Sequence, residues 1–500
     1  MKHSITALAM LVAMTGAAQT PALKIYKGER RSDTVYVAKQ YVIGVTDPGA
    51  TATIEGKDAH VYRTGSFGAE VMLKPGENKI PVEVKLGKKK AKAEVRYVYL
   101  TKKPTPKPVA NAGAADNDGH FIVSDIPEQT APLAKPVNIY TKEGAYLQYG
   151  NGGDRLGGSK MNFIDADIPL TAVGETANLY KVALGESHFA YIPKSSTEAG
   201  GPGFNIFNTG SVSVANIGKC DRITVSLPGR LPYWTRSEID PSTILVSVYG
   251  ATNNTNWLTQ NNTPEMIKYV DLRQDASDVL TFVIRLNDEY QWGYSTYYNG
   301  SNLIIDVRHR PASLELADLT IGLDAGHGGA YPGAHSPSGL TEKEVNLDIV
   351  LKAADLLRKE GAKVVMTRDG DTGPSMTERK QIWREGNVDL AVSVHNNASG
   401  NPLTPMGTSA YYKHISNRAL AQDLHESMLT LGVANFGLTG NFNFSLNGPT
   451  EYPNALVEAL FMSSLPEEEL LADPDYRTRM AEKVVAGIKN YLERVKASLK

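Results

Sequence analysis

Hydrophobic and polar positions divide the chain near Ala312. Before it, apolar runs are short, rich in β-branched and aromatic residues, and broken by turn residues, the pattern of strands in small sheets. Between Tyr41 and Leu86 the turns DPGA, GKDA, GSFG and KPGEN punctuate such runs, which predicts a β-sandwich over residues 24–101. The stretch LTKKPTPKPVANAGAADNDG lacks apolar periodicity and predicts a linker over 102–118. Strands resume at about His120, giving a second β unit over 119–200 that ends in SSTEAGGPG. DRITVSL, ILVSVYGA, VLTFVIRL and NLIIDVRHR predict a third, two-sheet unit over 212–311. After Ala312 the period changes. LTIGLDAG, KVVMTR, LAVSVH, TSAYYK and NALVEALF read as strands; EKEVNLDIVLKAADLLRKEG, MTERKQIWREGN, NRALAQDLHESMLTLG and a last segment from about Pro474 to Leu499 read as helices. This alternation predicts an α/β domain over 318–498 with a mostly parallel sheet flanked by helices. Leu347, Val350, Leu351, Ala354 and Leu357 form the expected core stripe of its first helix. The fold class is thus multidomain: three small mainly-β modules followed by a C-terminal α/β domain.

Composition narrows the setting. Hydrophobic residues make up 41% and charged residues 21% of 500, and formal charge is 52 − 54 = −2. That balance supplies no basic field for nucleic acid. Lys88, Lys89 and Lys90 read as a solvated turn. Lys2 and His3, the apolar run Ile5 to Met14 and the small residues Gly16 to Ala18 read as a signal peptide over 1–18. A buried N-terminal helix is the other reading. No later run is long enough to cross a bilayer, so no transmembrane segment is expected. The expectation is an exported protein, periplasmic or associated with the cell envelope. One cysteine, Cys220, excludes an internal disulfide framework and a cysteine-rich zinc site, and reads as a buried apolar residue.

Four polar residues stand out in the α/β part. His327 follows a strand and is flanked by Gly326, Gly328 and Gly329, which remove bulk and permit unusual backbone angles. His395 ends the strand LAVSVH, placing it at the same sheet edge, where open α/β sheets gather function. Thr341 as N-cap and Glu344 three residues on form a capping box, which accounts for Glu344 and leaves Glu342 free to turn toward that edge. Glu458 lies among Leu456, Val457, Ala459, Leu460 and Phe461, where an ionised carboxylate is costly unless paired or metal-linked. Two histidines and a carboxylate can hold a catalytic zinc with one position open, and a further glutamate can move protons. Alone, His395 also reads as a strand-end histidine bonded to backbone, and Glu342 as a first-turn glutamate favoured by the helix dipole. Glu458 could occupy the one exposed position of an edge strand. Asp324 either orients a ligand or ends its strand. His335 lies in a loop near His327 as a substrate contact, Arg379 and Asn387 as structural residues bonding loops, and His414 and His425 as surface residues.

The strings GLDAGHGG, TEKEVNL, TRDGD, TERKQIWREGNVDLAVSVHNNASG, GTSAYY and YPNALVEALFMSS resemble the zinc-dependent N-acetylmuramoyl-L-alanine amidases over about Leu319 to Leu492. The motifs keep the family's order, at spacings 342 − 327 = 15, 395 − 342 = 53 and 458 − 395 = 63. The resemblance implies one Zn2+ on His327, Glu342 and His395, with Glu458 catalytic. It implies hydrolysis of the amide between N-acetylmuramic acid and L-alanine of the stem peptide in peptidoglycan, in wall remodelling or daughter-cell separation. Ala325, Ala459 and Ser464 depart from the family's usual proline, glycine and asparagine, and none of them is a ligand. The 63-residue interval leaves little room for the autoinhibitory helical insertion of some relatives, implying an open site or regulation by the upstream modules. Those modules resemble, in order, an immunoglobulin-like sandwich, a Src-homology-3-like barrel and the wall-targeting units found beside cell-wall amidases. They imply contacts with the wall or an envelope regulator. The alternatives are a zinc peptidase or deacetylase acting on another wall amide, and a non-catalytic wall-binding protein.

Overall fold

The computed structural model describes residues 20–26, 33–102, 129–152, 160–261, 263–398 and 400–499. The expected signal peptide, and the expected linker beyond residue 102, lie outside the described residues. In the first unit, strands Leu23–Tyr26, Lys39–Thr46 and Ser66–Met72 form one sheet. A second sheet runs, in spatial order, Thr34–Val35, Lys89–Tyr99, Gly76–Leu86, Thr51–Ile54 and Lys57–Ala59. Alternation along the long strand buries Ile80, Val82 and Val84 and exposes the residues between. These three join Val42, Phe67 and Tyr97 in a core of their own. Gly44 is required here, because a Cβ would sit 2.5 Å from Phe67 Cζ.

Among the described residues, the second unit is one antiparallel sheet of seven strands between Ala131 and Ala199. The third pairs a five-stranded sheet, including Cys220–Val225, Tyr294–Asn299 and Asn302–Arg308, with a four-stranded sheet containing Tyr233–Ile239 and Ser242–Tyr249. Cys220 corrects the expectation: it opens a strand facing partly outward and is half-buried. Buried apolar side chains continue without interruption from the second unit through the third into the α/β domain, from Ile139 and Leu303 to Val495. Polar ties reinforce that seam: Arg308 donates to Val388 O at 2.6 Å and pairs with Asp389 at 2.7 Å. The first unit keeps its separate core and meets the α/β domain through Arg63–Glu469 at 3.1 Å and Tyr26 Oη donating to His335 O at 2.9 Å.

The α/β domain carries six strands: β1 (Thr320–Ala325), β2 (Lys363–Met366), β3 (Leu390–Asn397), β4 (Thr408–Tyr411), β5 (Asn435–Thr439) and β6 (Asn454–Phe461). They lie in the order β2-β1-β3-β6-β4-β5. The pairs β1–β2, β1–β3, β3–β6 and β4–β5 are parallel; β4–β6 is antiparallel. Helices are α1 (Glu342–Lys359), α2 (Met376–Glu385), α3 (Arg418–Leu429), α4 (Leu465–Ala472) and α5 (Pro474–Ser498). Both faces of β3 are covered, which is why its sequence is an unbroken apolar run. Leu390, Val392 and Val394 join the core that includes α1, α3 and α5, while Ala391 packs with Trp383 of α2 and Tyr452. The α1 stripe is rotated from the expected one. Val345, Ile349, Ala353 and Leu357 are buried with Val350 and Ala354, while Leu347 and Leu351 sit at the margin. Strand β5 and helix α4 are not evident from periodicity; NFGLT lies at the sheet edge with Asn435 and Phe436 exposed and no residue fully buried, and α4 is short. Among the described residues no helix is long and apolar enough to cross a membrane.

Candidate metal centre and active site

The carboxyl ends of β1, β3 and β6 converge on one place. β1 delivers Asp324 and the turn Gly326–Gly329. His327 takes φ +61°, and Gly328 and Gly329 are also left-handed. A non-glycine residue in that region is strained and persists only when its surroundings hold it. Arg379 holds it, donating to His327 O at 2.6 Å, Ala325 O at 2.9 Å and Pro374 O at 3.0 Å. Arg368 adds bonds to Ala325 O at 2.8 Å and Gly326 O at 3.0 Å. Gly326 must be glycine, because a Cβ there would collide with the His395 ring.

Glu342 opens α1 with Thr341 as N-cap, and Glu344 accepts from the Thr341 backbone and hydroxyl. Freed from the cap, Glu342 is 4% exposed and points between the two histidines. Its Oε2 lies 3.1 Å from His327 Nε2 and its Oε1 3.0 Å from His395 Nδ1. The imidazole rings are 4.9 Å apart at 73°. One ligand atom from each of the three lies within 4.8 Å of the others, a group that could hold a metal ion. Burial pushes the Glu342 carboxyl up, but its bonds and attraction to His327 and His395 outweigh this and hold it well below the usual carboxylate range. The carboxylate also accepts from Ala334 N at 2.9 Å, Asn396 N at 3.2 Å and Asn346 Nδ2 at 3.3 Å.

Glu458 sits in a strand whose eight residues are all buried, and is itself 8% exposed. β6 is an interior strand between β3 and β4, so the edge-strand reading does not apply. The register pairs Glu458 directly with His395. Neighbouring strands stand roughly 4.8 Å apart, and paired residues leave the sheet on the same face. Glu458 is therefore beside the His327–Glu342–His395 group, at the same end of the sheet.

Other sequence-level candidates divide. Asp324 is fully buried and orients rather than ends: it accepts from Thr367, Ser393 and Arg379, each at 2.5 Å. Burial raises its carboxyl, and Arg379, His395 and the two hydroxyls more than offset this, leaving it below its ordinary range. Arg379 matches its structural role. Asn387 is exposed, left-handed at φ +47°, and follows α2. His335 is exposed on the loop beside Glu342. The surface assignment of His414 and His425 is corrected: His425 is 6% exposed on the inner side of α3, and His414 is bonded to Gly448 O at 2.9 Å, with burial driving its pKa down to about 4. Asn346 and Asn396 were missed. Asn396 Nδ2 donates to Asn346 Oδ1 at 2.8 Å and Asn346 Nδ2 to Gly326 O at 3.2 Å, so the pair ties α1 to the strand ends. A polar Asn346 one position after buried Val345 was the available signal.

The Asp324–Arg379 pair is buried on both sides, with side chains 1% and 2% exposed. Arg379→Met strands the Asp324 charge and releases the His327 turn, and is expected to lower unfolding free energy by about 3–5 kcal/mol. An unchanged urea midpoint would show that the pair does not brace the domain.

Residues 321–490 match the family model described as N-acetylmuramoyl-L-alanine amidase, Amidase_3. The chain is similar to the germination-specific N-acetylmuramoyl-L-alanine amidase of Bacillus subtilis, at 29% identity over 199 residues, covering 36% of this chain and 83% of the relative. It is similar to the uncharacterized protein YqiI of Bacillus subtilis, at 30% identity over 179 residues, covering 35% of this chain and 85% of that protein. Among solved structures it is similar to the N-acetylmuramoyl-L-alanine amidase AmiC2 of Nostoc punctiforme, at 32% identity and TM-score 0.34, covering 35% of this chain and 98% of that one. The matched segment contains all four converging residues, and through it the chain belongs to the N-acetylmuramoyl-L-alanine amidase family.

Proposed function

We propose that this protein is a zinc-dependent peptidoglycan amidase that cuts the bond between the lactyl group of N-acetylmuramic acid and L-alanine of the stem peptide. The observation that carries the reading is the convergence of His327, Glu342 and His395 with Glu458 in register beside them. The donor set suits zinc: two imidazole nitrogens and a carboxylate oxygen, leaving a position open. Each carboxylate oxygen of Glu342 faces one imidazole nitrogen, at 3.0 and 3.1 Å, and one donor atom from each of the three residues lies within 4.8 Å of the others.

His327, Glu342 and His395 would hold the ion, which when bound polarises the scissile carbonyl and acidifies water. Glu458 takes a proton from the attacking water and hands it to the departing alanine amine. Asp324 and Arg379 keep the His327 turn in place, and Asn346 and Asn396 fix the Glu342 carboxylate, so little reorganisation is needed during reaction. The chain is read as exported and acting at the envelope, with the three β units as an immunoglobulin-like sandwich, a Src-homology-3-like barrel and a wall-targeting unit that contact the wall or a regulator.

Incubating the purified protein with peptidoglycan and zinc is expected to release peptides with new N-terminal L-alanine. Release of an amino sugar or a D-amino acid instead would identify a deacetylase or peptidase and overturn the proposal.

A further inference from the structure

Two irregularities in the sheet lie beside Glu458, and together they build an exposed aromatic surface. The first is in β6. His395 pairs with Glu458 and Asn397 with Phe461, so β6 uses three steps where β3 uses two. His395 and Asn397 leave β3 on one face, and paired residues share a face. The bulge therefore turns Phe461 to the same face as Glu458. The second irregularity is in β5. Thr408 pairs with Asn435 and Ser409 with Gly437, so Phe436 is the extra residue of a bulge. Ser409 pairs in turn with Glu458, which places this bulge in the same row across the sheet. Bulges are frequent next to active sites, where they re-aim a side chain.

Phe436 reaches back across β4. Its ring meets that of Phe461 at 5.0 Å and 62°, although β4 lies between their strands. Phe461 is 2% exposed, whereas Phe436 remains 52% exposed. An edge-to-face pair with one ring open to solvent is a platform, fixed on one side and free on the other. Buried Glu467 braces its base. One carboxylate oxygen accepts from Phe461 N at 3.0 Å, and the other from Met406 N at 3.0 Å and Gly407 N at 2.6 Å, in the turn that enters β4. The platform thus stands at the metal end of the sheet, on the side of Glu458 away from His327.

The direction of proton transfer says which part of the substrate lies there. In the role proposed for it, Glu458 hands a proton to the departing amine, so the amine side of the scissile bond faces β6. The peptide beyond that amine runs toward β4 and β5. These strands lie one and two spacings of about 4.8 Å further on, and an extended peptide advances about 3.3 Å per residue. The Phe436 ring is therefore reached by the second or third residue of the peptide.

We propose that Phe436, on its Phe461 base, is a subsite for the stem peptide of peptidoglycan, packing against the aliphatic parts of the second and third residues and so selecting substrates by peptide length. The inference rests on the amidase reading above and on the role of Glu458 in it.

The test follows kcat/KM of the zinc-loaded full chain on soluble muramoyl peptides carrying one, two or three residues. Wild type is expected to gain about tenfold as the peptide grows, the worth of one buried apolar contact. Phe436→Ala should lose that gain, and Phe436→Tyr, which keeps the ring, should restore it. A variant that was only misfolded would lose activity equally on all three substrates. Such an equal loss, the full gain in Phe436→Ala, or no gain in wild type would each overturn the proposal. If wild type hydrolyses no muramoyl amide, the amidase reading fails separately, and binding decides this inference. The free stem tripeptide, titrated by nuclear magnetic resonance, should bind Phe436→Ala about tenfold more weakly than wild type. Equal affinity would overturn the subsite.

Discussion

Glu458→Gln is expected to retain its metal and lose turnover by about 10²–10⁴-fold, the usual worth of a positioned acid–base group. Glutamine matches the shape of glutamate but cannot accept the water's proton or return one to the leaving amine. Position 458 lies within an all-buried strand, and the exchange adds no bulk there. Thermal stability should therefore hold while kcat falls. KM on a soluble muramoyl peptide should change little, since the role proposed for Glu458 is on the reacting proton and not on the remote substrate. A Glu458→Gln enzyme with near wild-type kcat and full metal content would remove Glu458 from the chemistry.

Metal removal is the second large effect. Prolonged chelation should bring hydrolysis to background, and one equivalent of zinc should restore it. The same treatment should destabilise the α/β domain, because a ligand that binds only the folded state adds about 4 kcal/mol when present a thousandfold above its Kd. Calorimetry with and without chelator reads that loss directly. Glu342→Ala should mimic chelation and resist rescue by added zinc, since it removes the carboxylate between His327 and His395. Activity persisting in protein shown to contain no metal would defeat the metal assignment.

Much of the site was legible in the sequence for reasons that act locally. A glutamate inside LVEALF is conspicuous because burying a charge is costly unless it is paired or metal-linked. Dense glycine around His327 announced an unusual turn, and the chain there is left-handed. The capping rule separated Glu344, used by the helix terminus, from Glu342, available for other work. Strand and helix types followed from periodicity in the same way, except where β5 is a short edge strand with no buried residue and α4 is too short to show a period.

The remaining features depend on which distant segments meet. Asn346 and Asn396, fifty residues apart, acquire meaning only when α1 crosses the end of β3. His425 is buried because α3 lies between the sheet and α5, and nothing in LAQDLHESML announces a second covering layer. The α1 stripe turned because α5 covers part of its flank as well as the sheet. The second and third β units share a core with the α/β domain, although each alone reads as a separate small module. By itself the sequence determined most element types and the four residues that gather at one sheet edge, because these follow from short-range rules of period, capping and burial cost. Tertiary structure alone decided how those residues are braced and which modules fuse, because an apolar surface records that it must be covered but not by what.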